Sequence, residues 1–206
     1  MTKMKNALLG ATFLIAGLAG TGAAMAQATV GQAAPAFAGT DTAGKPVSLD
    51  TYKGKYVVLE WVNPDCPFVK KHYDSGNIPA TQKHAAGKDV VWLSVSTSGK
   101  PDQKLASSLN TWAKDKKATP TAIVLDDGKI GHAYGAKTTP HMYLIDPAGK
   151  IVYAGAIDSK PSSNAADIAS ATNYVTQAID EAKSGKAISK PVTQPYGCSV
   201  KYASAS

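Results

Sequence analysis

Arginine is absent from this sequence of 206 residues, and all 22 basic residues are lysines. Together with 15 acidic residues they give a net charge of +7, and the lysines are scattered along the chain. Proteins that grip phosphates and base edges favour arginine, whose planar guanidinium donates two parallel hydrogen bonds. We therefore expect a solvated basic surface and no nucleic-acid partner.

Cysteine is scarce as well, with only Cys66 and Cys198 in the whole chain. A chain of this length normally buries enough apolar surface to fold as one domain without disulfides. Two cysteines are too few for a framework of disulfides. Their roles, as a redox pair or as a single disulfide, therefore have to be considered together.

A hydrophobic run long enough to span a bilayer is also missing. The apolar stretch at residues 7–19 is interrupted by glycine and is shorter than the ~20 residues that a span needs. Lys3 and Lys5 precede it and Ala-Met-Ala follows at residues 24–26, which is the layout of a cleavable secretory signal. The alternative is a retained anchor. We predict a signal peptide at residues 1–26, no membrane anchor after cleavage, and a periplasmic or secreted protein, in a compartment where disulfides persist.

The hydrophobic pattern of the remaining chain predicts alternating strands and helices. Residues 36–38 and 46–48 flank a turn and indicate an amino-terminal hairpin, and the apolar runs 55–62 and 90–95 are typical of strands buried on both faces. The other predicted elements are a helix at 102–117, a strand at 121–125, a hairpin of 141–145 with 151–154, and a helix at 164–183. The sequence predicts an α/β fold with a mixed central sheet and flanking helices over residues 27–185, followed by a tail, residues 186–206.

Cys66 stands where a buried strand is predicted to turn into a helix. Residues 63–65 (Asn-Pro-Asp) form the turn, and Pro67 suits the first helical position. A cysteine that caps a helix faces unpaired N–H groups and the positive end of the helix dipole, which favour the nucleophilic thiolate. Lys70, one turn further, adds positive charge on the same face. The alternative is an inert, buried cysteine.

These residues resemble the thioredoxin superfamily. Residues 57–59, the turn and Cys66-Pro67 are similar to its active-site strand and helix start, and Thr139-Pro140 is similar to its cis-proline loop. The resemblance is closer to the peroxiredoxin-like redoxin (AhpC/TSA-like) branch, which keeps one active-site cysteine and ends in a segment like residues 196–201 (Tyr-Gly-Cys-Ser-Val-Lys). It implies a thioredoxin-like fold in which Cys66 attacks a peroxide or a protein disulfide, Pro140 is cis and faces it, an external thiol acts as reductant, and no cofactor is needed.

Two departures from that pattern concern the active-site helix. Val69 replaces the second cysteine of thioredoxins, so the partner of Cys66 must come from elsewhere. Asn63 replaces the threonine of peroxiredoxins, and their arginine has no counterpart. Asn63 as hydrogen-bond donor and Lys70 or Lys71 as the source of charge are the expected substitutes, although neither reproduces a guanidinium fork.

Cys198 is the expected resolving thiol, because a tail poor in apolar residues unfolds locally at little cost. The alternative is a permanent staple. A disulfide that closes a loop of 132 residues stabilises a fold by ~4–5 kcal/mol in the chain-entropy model.

Two histidines are further candidates. His141 follows Pro140 and by the resemblance lies near Cys66, where it tunes the thiolate or, together with Cys66 and Met142, holds copper. His72 lies off the face of Cys66 and is interpreted as a packing residue. The sequence thus predicts an exported thiol-based oxidoreductase. One alternative is a thiol–disulfide exchange protein for envelope or cytochrome maturation, and another is a non-catalytic or copper-binding module.

Overall fold

The computed structural model describes residues 28–203, so the predicted signal peptide lies outside the described residues. The strands are β1 (Ala38–Asp41), β2 (Pro46–Ser48), β3 (Tyr56–Trp61), β4 (Val90–Thr97), β5 (Ala122–Asp126), β6 (Thr138–Thr139), β7 (His141–Ile145), β8 (Ile151–Gly155) and β9 (Cys198–Ser199). The helices are α1 (Pro67–Asp74), α2 (Asn77–Gly87), α3 (Gln103–Asp115), α4 (Lys129–Tyr134) and α5 (Tyr174–Lys183), with 3₁₀ turns at Leu49–Tyr52 and Ala165–Ser170. Within residues 28–203 no helix has the length and apolar character needed to cross a membrane.

Seven strands form one mixed sheet in the order β2-β1-β5-β4-β3-β7-β8. The central strands β3, β4 and β5 run parallel, as expected for strands joined by crossover helices, and the outer pairs run antiparallel. The short strands β6 and β9 pair separately. The predicted fold class, including the amino-terminal hairpin β1–β2, is confirmed.

Apolar side chains cover both faces of this sheet. Along β3, Val58 faces one apolar layer, while Val57, Leu59 and Trp61 face the other. This alternation explains the nearly continuous apolar run in the sequence, since a strand covered on both sides has no solvent-facing positions. Cys66 belongs to the layer of Val58, which places the sulfur on one defined side of the sheet.

The predicted single helix at residues 164–183 is wrong, because the structure divides it into the 3₁₀ turn Ala165–Ser170 and α5. Asn173 causes the division. Its side-chain oxygen accepts a hydrogen bond from the backbone N–H of Thr176, and its amide donates to Thr81 Oγ1 at 2.8 Å. An asparagine used in this way caps a new helix instead of continuing an old one.

Two helices were not expected from the pattern. Helix α1 ends at Asp74, and α2 begins after Gly76, whose φ of +75° suits glycine. Helix α4 is only six residues long, too short to produce a clear apolar period.

The carboxy-terminal segment, residues 191–202, packs against the domain. The expectation that this tail unfolds locally at little cost stays a prediction. Thr193 pairs with Ala154 of β8 through the backbone, and its hydroxyl accepts from the N–H of Ala156. Val200 is buried, and the Tyr202 hydroxyl donates to the carbonyl of Ala136 at 2.7 Å. The segment is thus held on both sides of Cys198.

Gly155 provides a test of this docking. It has a φ of +149°, and a Cβ at this position would overlap the hydroxyl and carbonyl of Thr193. We expect Gly155→Ala to lower the free energy of unfolding by roughly 2–4 kcal/mol, because it adds a clash to backbone strain. Gly149→Ala is the matched control, since Gly149 also has a positive φ but open space around it, and it should cost only about 1–2 kcal/mol. Urea unfolding measures both, and equal losses would contradict the tight contact with Thr193.

Candidate active site

Cys66 occupies the amino-terminal cap of α1. The chain leaves β3 at Trp61 and turns, and the backbone N–H of Cys66 donates to the carbonyl of Asn63 at 3.1 Å. Pro67 takes the first helical position, and the N–H of Lys70 donates to the carbonyl of Cys66. The cysteine is only 2% exposed. In its reduced form this sulfur would lie at the positive end of the helix dipole, a position that attracts negative charge.

A disulfide joins Cys66 to Cys198, with 5.8 Å between the two Cα atoms. Antiparallel pairing of β9 with β6 places Cys198 directly opposite Thr139. The backbone N–H of Cys198 points to Cys66 Sγ at 3.3 Å, and the carbonyl oxygen of Thr139 lies 3.1 Å from the same sulfur. The Thr139–Pro140 peptide bond is cis, as predicted. The sulfur pair, the helix start and the proline loop therefore meet at one place.

The AhpC/TSA family model matches residues 30–154, which is more than half of the chain. The chain belongs to the AhpC/TSA family. No curated protein matches the sequence significantly.

Solved structures share the thioredoxin-type fold of this AhpC/TSA protein. An uncharacterized conserved protein from Geobacillus kaustophilus is 23% identical with a TM-score of 0.69, over 86% of this chain and 94% of that one. A hypothetical protein from Sinorhizobium meliloti 1021 is 20% identical with a TM-score of 0.70, over 87% and 98%. The thioredoxin domain of a thiol-disulfide oxidoreductase from Bacteroides vulgatus is 25% identical with a TM-score of 0.52, over 69% and 96%.

Asn63 and Lys70, the other predicted site residues of this AhpC/TSA protein on the Cys66 segment, make no side-chain hydrogen bond to the Cys66 sulfur among the described contacts. The Asn63 side-chain oxygen accepts a hydrogen bond from the N–H of Asp65, so it stabilises the turn. Lys70 is exposed, and its hydrogen bond to Cys66 runs through the backbone. Catalytic roles for Asn63 and Lys70 stay predictions.

His141 belongs to the opposite side of the sheet from Cys66. Its ring packs against Tyr143, at 4.6 Å between ring centroids, while the neighbouring Met142 faces the layer of Cys66. His141 Nδ1 accepts from the backbone N–H of Lys137. Among residues 28–203 no group of three His, Cys, Asp or Glu side chains is arranged to hold a metal ion.

A polar cluster beside the cysteines, buried except for the half-buried Tyr196, was not predicted from the sequence as a unit. It consists of Lys71 and His72 on α1, Asp158 after β8, and Tyr196, two residues before Cys198. Lys71 Nζ lies 3.6 Å from Asp158 Oδ2 with both side chains buried, and the hydroxyl of Tyr196 donates to Asp158 Oδ1 at 2.5 Å. Two adjacent polar residues on a helix look like a solvated face, so the sequence alone carried no signal for this cluster.

Glu60 is a second buried group that went unnoticed. Its carboxylate accepts hydrogen bonds from the Tyr73 hydroxyl, Trp92 Nε1 and the Ser94 hydroxyl. Burial raises its pKa, although these hydrogen bonds act in the opposite direction. A charged residue inside an otherwise apolar strand was the available signal.

The pKa of His141 provides a pH-dependent test. Burial, followed by the nearby charge of Lys137, lowers this pKa from 6.5 to about 4. Between these values the unfolded chain binds a proton that the folded chain refuses, so the fold loses stability as pH falls from 6.5 towards 4. His141→Asn keeps an acceptor for Lys137 but does not titrate. Relative to wild type we expect the variant to gain about 3 kcal/mol between pH 7 and pH 4.

Urea unfolding of both proteins at several pH values measures this difference. Their stabilities at pH 7, where the histidine is neutral in both states, provide the baseline. A free-energy difference that stays constant from pH 7 to pH 4 would show that the fold does not hold His141 neutral.

Proposed function

We propose that this protein is a thiol–disulfide oxidoreductase whose Cys66 and Cys198 cycle between a dithiol and a disulfide. The observation that carries the proposal is the position of the pair: Cys66 caps α1, Cys198 is bonded to it, and both lie beside the cis-Pro140 loop. A helix start favours the thiolate that disulfide exchange requires. The likeness to a domain of a thiol-disulfide oxidoreductase supports the same activity.

The proposed reaction uses a disulfide substrate and an external thiol. The Cys66 thiolate attacks one substrate sulfur, the substrate S–S bond breaks, and the released thiolate takes up a proton. Cys198, after losing its proton, attacks Cys66 Sγ and releases the second substrate thiol. The substrate is thereby reduced, and the Cys66–Cys198 disulfide forms. Two equivalents of an external thiol return it to the dithiol.

Peroxide reduction is a second candidate, and membership of the AhpC/TSA family favours it. The Cys66 thiolate would attack a peroxide oxygen and break the O–O bond, with the alkoxide leaving as an alcohol after protonation. Cys198 would then displace water from the sulfenic acid and form the same disulfide. We place this candidate second because the chain has no arginine whose guanidinium could hold the peroxide and stabilise the developing charge.

We also propose that the protein is exported. Removal of residues 1–26 would leave the thioredoxin-like domain at 27–185 and the tail at 186–206. An oxidising compartment would give the Cys66–Cys198 pair access to disulfide-bonded partners.

Mature wild type, Cys66→Ser and Cys198→Ser separate the two reactions. Each reduced protein receives either hydrogen peroxide or a disulfide-bonded peptide, and the consumption of substrate is followed together with the oxidation state of each cysteine by mass spectrometry. Disulfide exchange predicts that Cys198→Ser accumulates a mixed disulfide on Cys66, because the resolving thiol is missing. Cys66→Ser should lose activity by at least about a hundredfold, because it removes the nucleophile.

The alternatives give different results. Fast peroxide loss with a sulfenic acid at Cys66 in Cys198→Ser would establish the peroxidase instead. A disulfide that thiols reduce only after the protein unfolds would indicate a structural staple. Equal behaviour of the three proteins towards both substrates would contradict each enzymatic function and leave a binding module.

A further inference from the structure

Contacts other than the disulfide hold the segment that carries Cys198. Thr193 is bound to β8 before the cysteine, and Val200 N–H donates to the carbonyl of Lys137 after it. None of these contacts depends on the S–S bond. In the disulfide form that the structure shows, the docking of residues 191–202 therefore helps the S–S bond to place Cys198.

Tyr196 is the residue of this segment whose side chain contacts two buried polar side chains. Its hydroxyl donates to Asp158 Oδ1 at 2.5 Å and lies 3.0 Å from His72 Nε2. Both partners are buried, with relative exposures of 2% for Asp158 and 0% for His72. A hydrogen bond from a phenol to a buried carboxylate is stronger than one between neutral groups, and the carboxylate loses more when the phenol is removed.

The hydrogen-bond network shows which atom is the donor and which the acceptor in each bond. The side-chain amide of Asn77 donates to His72 Nδ1 at 2.8 Å, so the ring proton belongs on Nε2. His72 Nε2–H then donates to the oxygen of Tyr196, whose own proton goes to Asp158. Burial lowers the pKa of His72 to about 4, in agreement with a neutral ring that has one N–H. The three bonds of this chain thus run in one direction, from Asn77 through His72 and Tyr196 to Asp158 Oδ1.

Tyr196 is connected to the sulfurs through rigid neighbours. Its ring packs edge-on against Phe68, two residues after Cys66 on α1, at 5.8 Å between centroids. Gly197 follows with a φ of +138°, and a Cβ there would overlap the carbonyl oxygen of Thr139. The chain between Tyr196 and Cys198 is therefore pressed against β6, and fixing the tyrosine fixes the approach of Cys198 to Cys66.

We propose that Tyr196 is a positioning residue, whose hydroxyl bridges His72 and Asp158 and keeps Cys198 beside Cys66 in the dithiol as well as in the disulfide. This inference rests on the proposed function, because it concerns the same cysteine pair. It replaces the expectation of a resolving cysteine on a free tail. A thiol held in place has a high effective concentration towards Cys66, so the intramolecular disulfide forms in preference to mixed disulfides with small thiols.

Equilibration with glutathione tests the proposal. One protein disulfide and two glutathione molecules exchange with one protein dithiol and one oxidised glutathione, so the ratio gives the effective concentration of the pair. We expect Tyr196→Phe to lower this effective concentration on the order of tenfold, because it deletes the bond to a buried carboxylate and keeps the ring. Tyr134→Phe is the matched control: its hydroxyl donates to the carbonyl of Pro35 at 2.8 Å, a partner outside the tail, and its effective concentration should equal that of wild type.

Hydrogen exchange of the reduced wild type is a second measurement that needs no variant. The backbone N–H of Val200 should keep most of its protection when the disulfide is reduced. Loss of that protection, or an effective concentration in Tyr196→Phe equal to that in Tyr134→Phe, would overturn the proposal. If the folded wild-type disulfide cannot be reduced by glutathione or dithiothreitol at all, the proposed function itself fails.

Discussion

The pairing of two short strands, β6 with β9, is the interaction on which the site depends. It brings Cys198 across 132 residues of sequence to the cap of α1 and sets it opposite Thr139. Each strand has only two residues, so backbone hydrogen bonds alone do not supply enough free energy to hold such a distant segment. The disulfide and the contacts of Thr193, Tyr196, Val200 and Tyr202 also hold the segment.

Burial of charge gives this docking its specificity. Asp158 and Lys71 are both buried, and removing a charge from water is costly unless other groups compensate for the lost hydration. Tyr196 is one of those groups, because it reaches a carboxylate oxygen from the tail side. An undocked tail would leave the carboxylate without this partner. The domain and its tail are therefore joined by an electrostatic requirement as well as by apolar contact.

The sequence predicted the parts of the fold that follow from local patterns. The apolar runs of β3 and β4, the proline after Cys66 and the Thr139-Pro140 step are short-range signals, and each appears in the structure where it was expected. The division of the last predicted helix depended on Asn173, which caps α5 through the N–H of Thr176 and also donates to Thr81 of α2. Periodicity cannot register such a contact, because it concerns only neighbours along one helix.

The buried polar groups of the site were harder to predict for a related reason. Lys71, His72 and Asp158 are unremarkable as single letters, and only the folded chain brings them under Tyr196. Composition instead suggested that the polar, proline-containing tail would be loosely held. Composition does not reveal that a few hydroxyl groups, each with a buried partner, attach this extended segment to the domain without a large apolar surface.

Gly197 gives the tail a fixed register. Because a Cβ at this position would overlap the carbonyl oxygen of Thr139, a shift of the strand by one residue would drive a side chain into β6 or turn the cysteine to the opposite face. The two-residue spacing from Tyr196 to Cys198 thus sets the distance between the buried carboxylate of Asp158, which binds Tyr196, and the sulfur of Cys198. In proteins with two cysteines in one helical turn, the fixed number of residues between them sets the distance between the sulfurs. Here the spacing from Tyr196 to Cys198 has that role, so an insertion or deletion within it would displace the second sulfur.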